Sequence, residues 1–408
     1  MKLLIIVAWR NLWRKKRRTL ITVSSVLFAV VLAISLMSLI EGTREVMIDS
    51  IINNSTGHLQ VQDAFYHDEP SMDHALEYGE EVKQALTEYA GLISYTVPRI
   101  QGFCLGAKDI GTRGVFVMGI EPEKEDRMND LSFKMVEGEM FTGEDQYAVI
   151  ASGVANLLDL SIGDSIVLMG QGFQGMTAAG IYRVGGIIEF ILPEQNNTMV
   201  YLPLREAQSF FAAPGRLNSL ILMVEYEEIV DALAESLREK LDDEWYAVKT
   251  WEELLPDAVA ALEARDAQVK IFAWILYIVA GFGIFGTIIT MMHERLREFG
   301  ILLSIGLKRV QLSLICLLET IMMSFLGVLA GITVGYPIMY RLNRNPIPLK
   351  DELAEVMLDM GFEPVLPFSV ASEIFIYQGI TIFFIALVVG LYPVRKVFGL
   401  DMISAARK

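Results

Sequence analysis

The chain is poor in the residues that carry most enzyme and metal chemistry. Its 408 residues include only two cysteines, Cys104 and Cys316, and four histidines. Cys316 falls inside a long apolar run and Cys104 in a large polar segment, so they cannot pair. That excludes an intramolecular disulfide framework, and the polar segment must be stable through its own core. His67 and His74 stand among Asp68, Glu69 and Asp73, but their spacing fits no helical or zinc pattern and reads as an exposed acidic loop. No serine, cysteine and histidine constellation supports hydrolysis. No G-x-x-x-x-G-K-[ST] occurs: GFCLGAK at Gly102 has the wrong spacing and no hydroxyl residue, which excludes ATP binding by a P-loop. One formal G-x-G-x-x-G, at Gly170, Gly172 and Gly175, is followed by a strand-like run. With no helix N-terminus to hold a pyrophosphate, it reads as a hairpin or loop. No catalytic residue, metal, cofactor or nucleic-acid partner is expected of this chain itself.

Charge is all but missing from four stretches long enough to matter. Thr19 to Ile40, Ile271 to Thr290, Leu312 to Tyr340 and Ile374 to Tyr392 each exceed the roughly 18 apolar residues needed to span a bilayer. Four transmembrane helices are expected. The first is read as an uncleaved anchor, being longer than a typical signal core and lacking a small-x-small cleavage site. Glu319 is the one acid well inside these runs, and is expected to be structural, neutral or hydrogen-bonded.

Basic residues are scarce between Thr43 and Asp266, where 39 acids face 15 bases; the rest of the chain carries +8 of a net −16. The bases cluster before the first span (Arg10, Arg14 to Arg18), between the second and third (Arg295, Arg297, Lys308, Arg309) and after the fourth (Arg395, Lys396, Arg407, Lys408). By the positive-inside rule those segments are cytoplasmic and the acidic segment faces outside. The predicted fold is an α+β membrane protein, its large outer α/β domain lying between the first and second spans.

Taken in order, residues 1–18 read as an amphipathic cytoplasmic helix with Trp9 and Trp13 on one face, and 19–41 as the first span. Residues 42–256 form the outer domain, with a β-rich subdomain inserted at about 121–205 after a charged hinge at Glu121 to Asp130. Residues 257–292 form a stalk running into the second span, a helix of about 35 residues or roughly 50 Å. Residues 312–340 are the third span and 341–373 an outer loop with an amphipathic helix at Lys350 to Met360. The fourth span is 374–392, and 393–408 a basic tail. Gly327, Gly331 and Gly335, four apart in the third span, suit close helix packing, within one subunit or between two.

The stretch 293–311, HERLREFGILLSIGLKRVQ, is too charged for a mere crossing. Glu294, Arg297 and Glu298 share a helical face, and Leu296, Phe299, Ile301, Leu302, Leu303 and Ile305 supply an apolar one. Gly300 and Gly306 are expected to break it into short pieces.

ERLREFGILLSIGLKRVQ from Glu294 closely resembles the signature between the second and third spans of FtsX/MacB-type ABC permeases. AWRNLWRKKRRTLIT from Ala8 and YPVRKVFGLDMISAAR from Tyr392 look like that family's other recurrent segments. VPRIQGFCLG, GVFVMGIEPEKE and VIASGVANLLDLSIGDSIVLM are similar in order and kind to the lipoprotein-releasing Lol permeases. The resemblance implies a bacterial inner-membrane protein with a periplasmic domain and a second permease subunit, same or related. It also implies a separate cytoplasmic ATPase dimer that binds the ATP and Mg. The coupling helix touching that ATPase would use Glu294, Arg295, Arg297, Glu298, Gly300, Ile301, Ser304 and Gly306. Acylated lipoprotein would be held near Met37, Ile40 and Met47 and passed to a periplasmic carrier. Alternatives are an FtsX-like regulator of a cell-envelope hydrolase, MacB-like export of another envelope substrate, and a secondary transporter using Glu319.

Overall fold

The computed structural model describes residues 2–14, 16–359 and 364–398. It comprises two compact units, Met1–Val46 with Leu262–Pro348 and Val365–Lys408, and Met47–Ala261 with Leu349–Pro364. In chain order the main elements begin with α1 (Lys2–Arg14), α2 (Lys16–Ile51), β1 (Leu59–Asp63), α3 (Glu80–Glu88), β2 (Ile93–Lys108), β3 (Gly111–Ile120) and α4 (Pro122–Asn129). Next come β4 (Met135–Gly138), β5 (Tyr147–Ala151), α5 (Ser152–Leu158), β6 (Ser165–Gln171), β7 (Thr177–Ile188), β8 (Met199–Pro203) and α6 (Leu204–Phe210). The chain continues through β9 (Ser219–Val224), α7 (Val230–Lys240), β10 (Tyr246–Thr250), α8 (Pro256–Ser304), α9 (Arg309–Arg344) and α10 (Ser372–Phe398).

The sheet unit is held together by β2. Its alternating sequence, ISYTVPRIQGFCLGAK, runs for 16 residues, about three times an ordinary strand. The first part pairs with β9 (Val97 opposite Ile221) and the last part with β6 (Leu105 opposite Met169). From Arg99 to Lys108 it pairs with β3 across the turn at Asp109 and Ile110, with Asp109 at positive φ. The order is β10-β1-β9-β2-β3-β8-β5-β7-β4, with β6 bridging β2 and β7. Two cores result. One lies between α3, α7 and the β1, β9, β10 strands, around Val82, Leu220 and Leu237; the other fills the β2 to β8 region around Ile150, Ile166 and Leu202.

Two expectations need correcting in this unit. The β-rich part does not begin at Glu121, because β2 and β3, ahead of it, are strands of the same continuous sheet. Glu121 to Asp130 is no hinge either: it contains α4, opened by Pro122 at its first turn and fastened from inside. Glu125 is fully buried and takes Arg99 Nε at 3.0 Å and Nη2 at 2.5 Å, while Arg99 Nη1 donates to the Ser55 carbonyl at 2.7 Å. Burial works against the Arg99 charge, but the Glu125 carboxylate more than offsets it and the guanidinium pKa is raised. GQGFQG forms the end of β6 and the turn into its antiparallel partner β7, with Gln174 and Gly175 at positive φ.

Among the described residues, α2, α8, α9 and α10 are long and apolar enough to cross a membrane. The unit they build has its core at Val26, Val30, Ile34, Ile284, Ile288 and Ile382. The helix expected over residues 1–18 is seen as α1 and the opening of α2 at Lys16 to Arg18, with Lys15 between them outside the described residues. Trp9 and Trp13 share an exposed face of α1, their rings 6.0 Å apart, while Ala8 and Leu12 are buried. The amphipathic helix after Tyr340 is observed at Glu352–Asp359, and Met360 lies outside the described residues, as do residues 399–408 of the tail.

The largest difference concerns α8. It runs for 49 residues without interruption to Ser304, roughly 70 Å at 1.5 Å per residue, so Gly300 breaks nothing. The reason is packing: Met292, Phe299 and Leu303 face Leu312, Cys316 and Val397 in one apolar cluster. That burial outweighs the roughly 1 kcal/mol helix penalty of a glycine.

Candidate coupling site

The end of α8 is closed by a defined cap. A Schellman-type helix end needs a residue at positive φ, and Gly306 supplies it with φ at +102°. The Leu307 N–H donates to the Leu302 carbonyl and the Gly306 N–H to the Leu303 carbonyl, both at 3.1 Å, the paired bonds of a Schellman cap. The Lys308 N–H donates to Gln311 Oε1 at 3.2 Å, starting α9.

Charged side chains tie this end sideways to α1 and α2. Arg18 meets Glu294 at 2.6 Å and Arg14 meets Glu298 at 3.7 Å. Arg295 does not face out with them. It is buried and forms a two-bonded pair with Glu319 of α9, one bond being Arg295 Nη2 to Glu319 Oε1 at 3.1 Å. Asn11 Nδ2 of α1 donates to the same carboxylate at 2.8 Å. Glu319 is therefore hydrogen-bonded and structural. Three helices converge on one buried carboxylate, which fixes the register of the α8 end relative to α1 and α9.

What stays open is narrower than the expected set. Arg297, Ile301, Ser304 and Gly306 are exposed, together with Ile305 at 78% and Val310 at 63%. Glu294 is exposed but paired, Glu298 is half-buried, and Gly300 is buried. The surface left over is an apolar strip carrying Arg297, with the exposed bases Lys308 and Arg309 beside Val310.

Two family models match. One, described as a MacB-like periplasmic core domain, covers residues 19–240; the other, an FtsX-like permease C-terminal domain, covers residues 270–402. The chain belongs to the FtsX/MacB-type ABC transporter permeases. This permease is 22% identical to an uncharacterized ABC transporter permease of Methanocaldococcus jannaschii over 99% of its own length and 97% of the relative's. It is 21% identical to the lipoprotein-releasing system transmembrane protein LolC of Neisseria meningitidis, over 63% of this chain and 66% of that protein. The extracellular domain of the ABC-type transporter YknZ from Gram-positive bacteria matches 43% of the permease at 13% identity, with a TM-score of 0.33, and 90% of that domain is covered.

The glycine series of the permease faces α2 of the same chain. A Cβ at Gly327 would lie 2.6 Å from Val26 Cβ, one at Gly331 2.7 Å from Val30 Cβ, and one at Gly335 3.4 Å from Ile34. Met37 is partly buried against the helical core, and Ile40 is half-buried on the same helix; Met47 belongs to the sheet unit. The residues that sequence reasoning missed are Asn11, Arg14 and Arg18. Their acidic partners lie hundreds of positions downstream, and no local pattern announces such a pairing.

Proposed function

We propose that this permease is a non-catalytic membrane subunit passing motion from a separate cytoplasmic ATPase dimer to its periplasmic core domain, and that its cargo is acylated lipoprotein of the bacterial inner membrane. In this reading α2, α8, α9 and α10 are the four spans, both termini are cytoplasmic, and a second permease subunit completes the membrane complex. The positive-inside bias of the sequence supports that orientation. ATP and Mg belong to the ATPase.

The observation that carries the reading is the end of α8. Ile301, Ile305 and Arg297 stay exposed on a helix whose register is held by Arg295, Glu319 and Asn11. An apolar strip kept rigid and in water suits a partner's groove, since rigidity lowers the entropy lost on docking. The continuity of α8 from Pro256 to Ser304 supports mechanical transmission along one element. The likeness to LolC supports the cargo class.

Capture of the partner ATPase tests this. Arg297→Glu is expected to weaken ATPase association by roughly tenfold while the thermal unfolding of the full chain stays unchanged. Equal ATPase capture and equal coupled turnover in the variant would sink the coupling role. For the cargo, a photo-crosslinker at Met37 or Ile40 is expected to capture acylated peptide over its unacylated form; equal capture would favour a regulator of a cell-envelope hydrolase.

A further inference from the structure

The first turns of α2 and the lower part of α8 wall a groove of about 670 Å³. Three consecutive bases stand along it: Lys16 and Arg17 are exposed and Arg18 is partly buried. Arg18 gives Nη2 to Glu294 at 2.6 Å, while its Nη1 is buried with no hydrogen-bond partner among the described residues. Away from the bases the lining turns apolar, with Ile21 and Met291. Thr287 and Thr290 spend their hydroxyls on the carbonyls of Ile284 and Gly286 at 2.8 and 2.9 Å, so they ask nothing of water. At Gly286 an added Cβ would meet nothing within 4 Å, which leaves the groove open along α8.

We propose that this groove binds one anionic phospholipid, its phosphate on Lys16, Arg17 and Arg18 and an acyl chain along Ile21 and Gly286. The inference rests on reading α2 and α8 as membrane spans. Charge complementarity selects an anionic group, because three bases face a single carboxylate that Arg18 already neutralises. A free phosphate would use the bases alone and leave the apolar length empty; an acyl chain fills it. Basic pockets between membrane helices on the cytoplasmic side are where anionic headgroups bind.

The test uses the full chain extracted from vesicles of phosphatidylcholine with phosphatidylglycerol, with retained lipid counted by native mass spectrometry. Preferential retention of phosphatidylglycerol is expected, falling roughly tenfold or more in the Lys16→Gln/Arg17→Gln variant. Gly286→Leu, which alters no charge and fills only open space, is expected to lower it as well. Unchanged retention in Gly286→Leu would overturn the site and leave only general surface attraction. Displacement by inorganic phosphate as effective as by lipid would overturn the lipid assignment in favour of a free anion. Crosslinking of one copy to another through the groove in place of lipid would overturn it in favour of a second subunit. Capture of the partner ATPase by Gly286→Leu is read alongside: capture kept with lipid unchanged overturns the lipid site alone, and capture kept with lipid lost supports it. Failure of the wild-type chain to partition with membranes overturns both the spans and this site.

Discussion

Arg99 and Glu125 show what a single buried pair demands. Each is placed where water cannot reach, and Asn129 Nδ2 adds a bond to the carboxylate at 2.8 Å. Glu125→Ala leaves the guanidinium buried and uncompensated, a loss of about 3–5 kcal/mol, and should lower the thermal unfolding temperature of the sheet unit by several degrees or more. Glu125→Gln, which keeps a carbonyl acceptor, should cost less. His58 carries a pH signature of its own. Burial depresses its pKa below 6.5, although Glu227 and Asp49 pull the other way, and its Nδ1 accepts the Val224 N–H at 3.3 Å. The folded state thus favours the neutral ring. The stability this gives is complete above about pH 6.5, the unfolded value, and is lost as the pH falls through the lower folded value. Chemical unfolding across that window should show the decline in the wild-type chain and a flatter profile in His58→Gln. Cys104 is buried and its thiol pushed up to about 12, so maleimide should label it only after denaturation.

Among the elements, α9 and α2 meet along a seam defined by what it lacks. Gly327 and Gly331 let α2 approach so closely that Val26 and Val30 fill the space of two side chains. Gly331→Leu should force the helices apart at a cost of about 1–3 kcal/mol, read as a lower unfolding temperature in detergent; an unchanged temperature would mean that the seam is not a structural contact. The four-residue spacing was legible in the sequence. The partner was not, because any helix with a matching surface satisfies the same spacing, and only the fold selects α2. Gly300 teaches the converse. Its backbone freedom suggested a break, but Phe299 and Leu303 beside it are buried, and packing kept the helix continuous through Ser304. A break at Gly306 was expected, and the helix ends there with Gly306 at positive φ.

For the molecule as a whole, the prediction is division of labour. The purified chain should hydrolyse no ATP by itself and should retrieve a small P-loop ATPase from membranes of its source; turnover by the isolated chain would overturn the subunit role. The classes of structure behind this follow from local chemistry. Long apolar runs favour helices that can cross a membrane, and alternating runs such as ISYTVPRIQG favour strands. These were determined by the sequence alone, since each depends on residues within one turn or one strand of each other. The tertiary structure decided the rest: that β2 joins both cores in one sheet, that Glu125 is an anchor and not part of a hinge, and that Arg295 turns inward to Glu319 while Arg297 stays in water. Those outcomes depend on groups far apart in the chain competing for the same buried space, and burial decides which charges are paired and which are left to meet a partner.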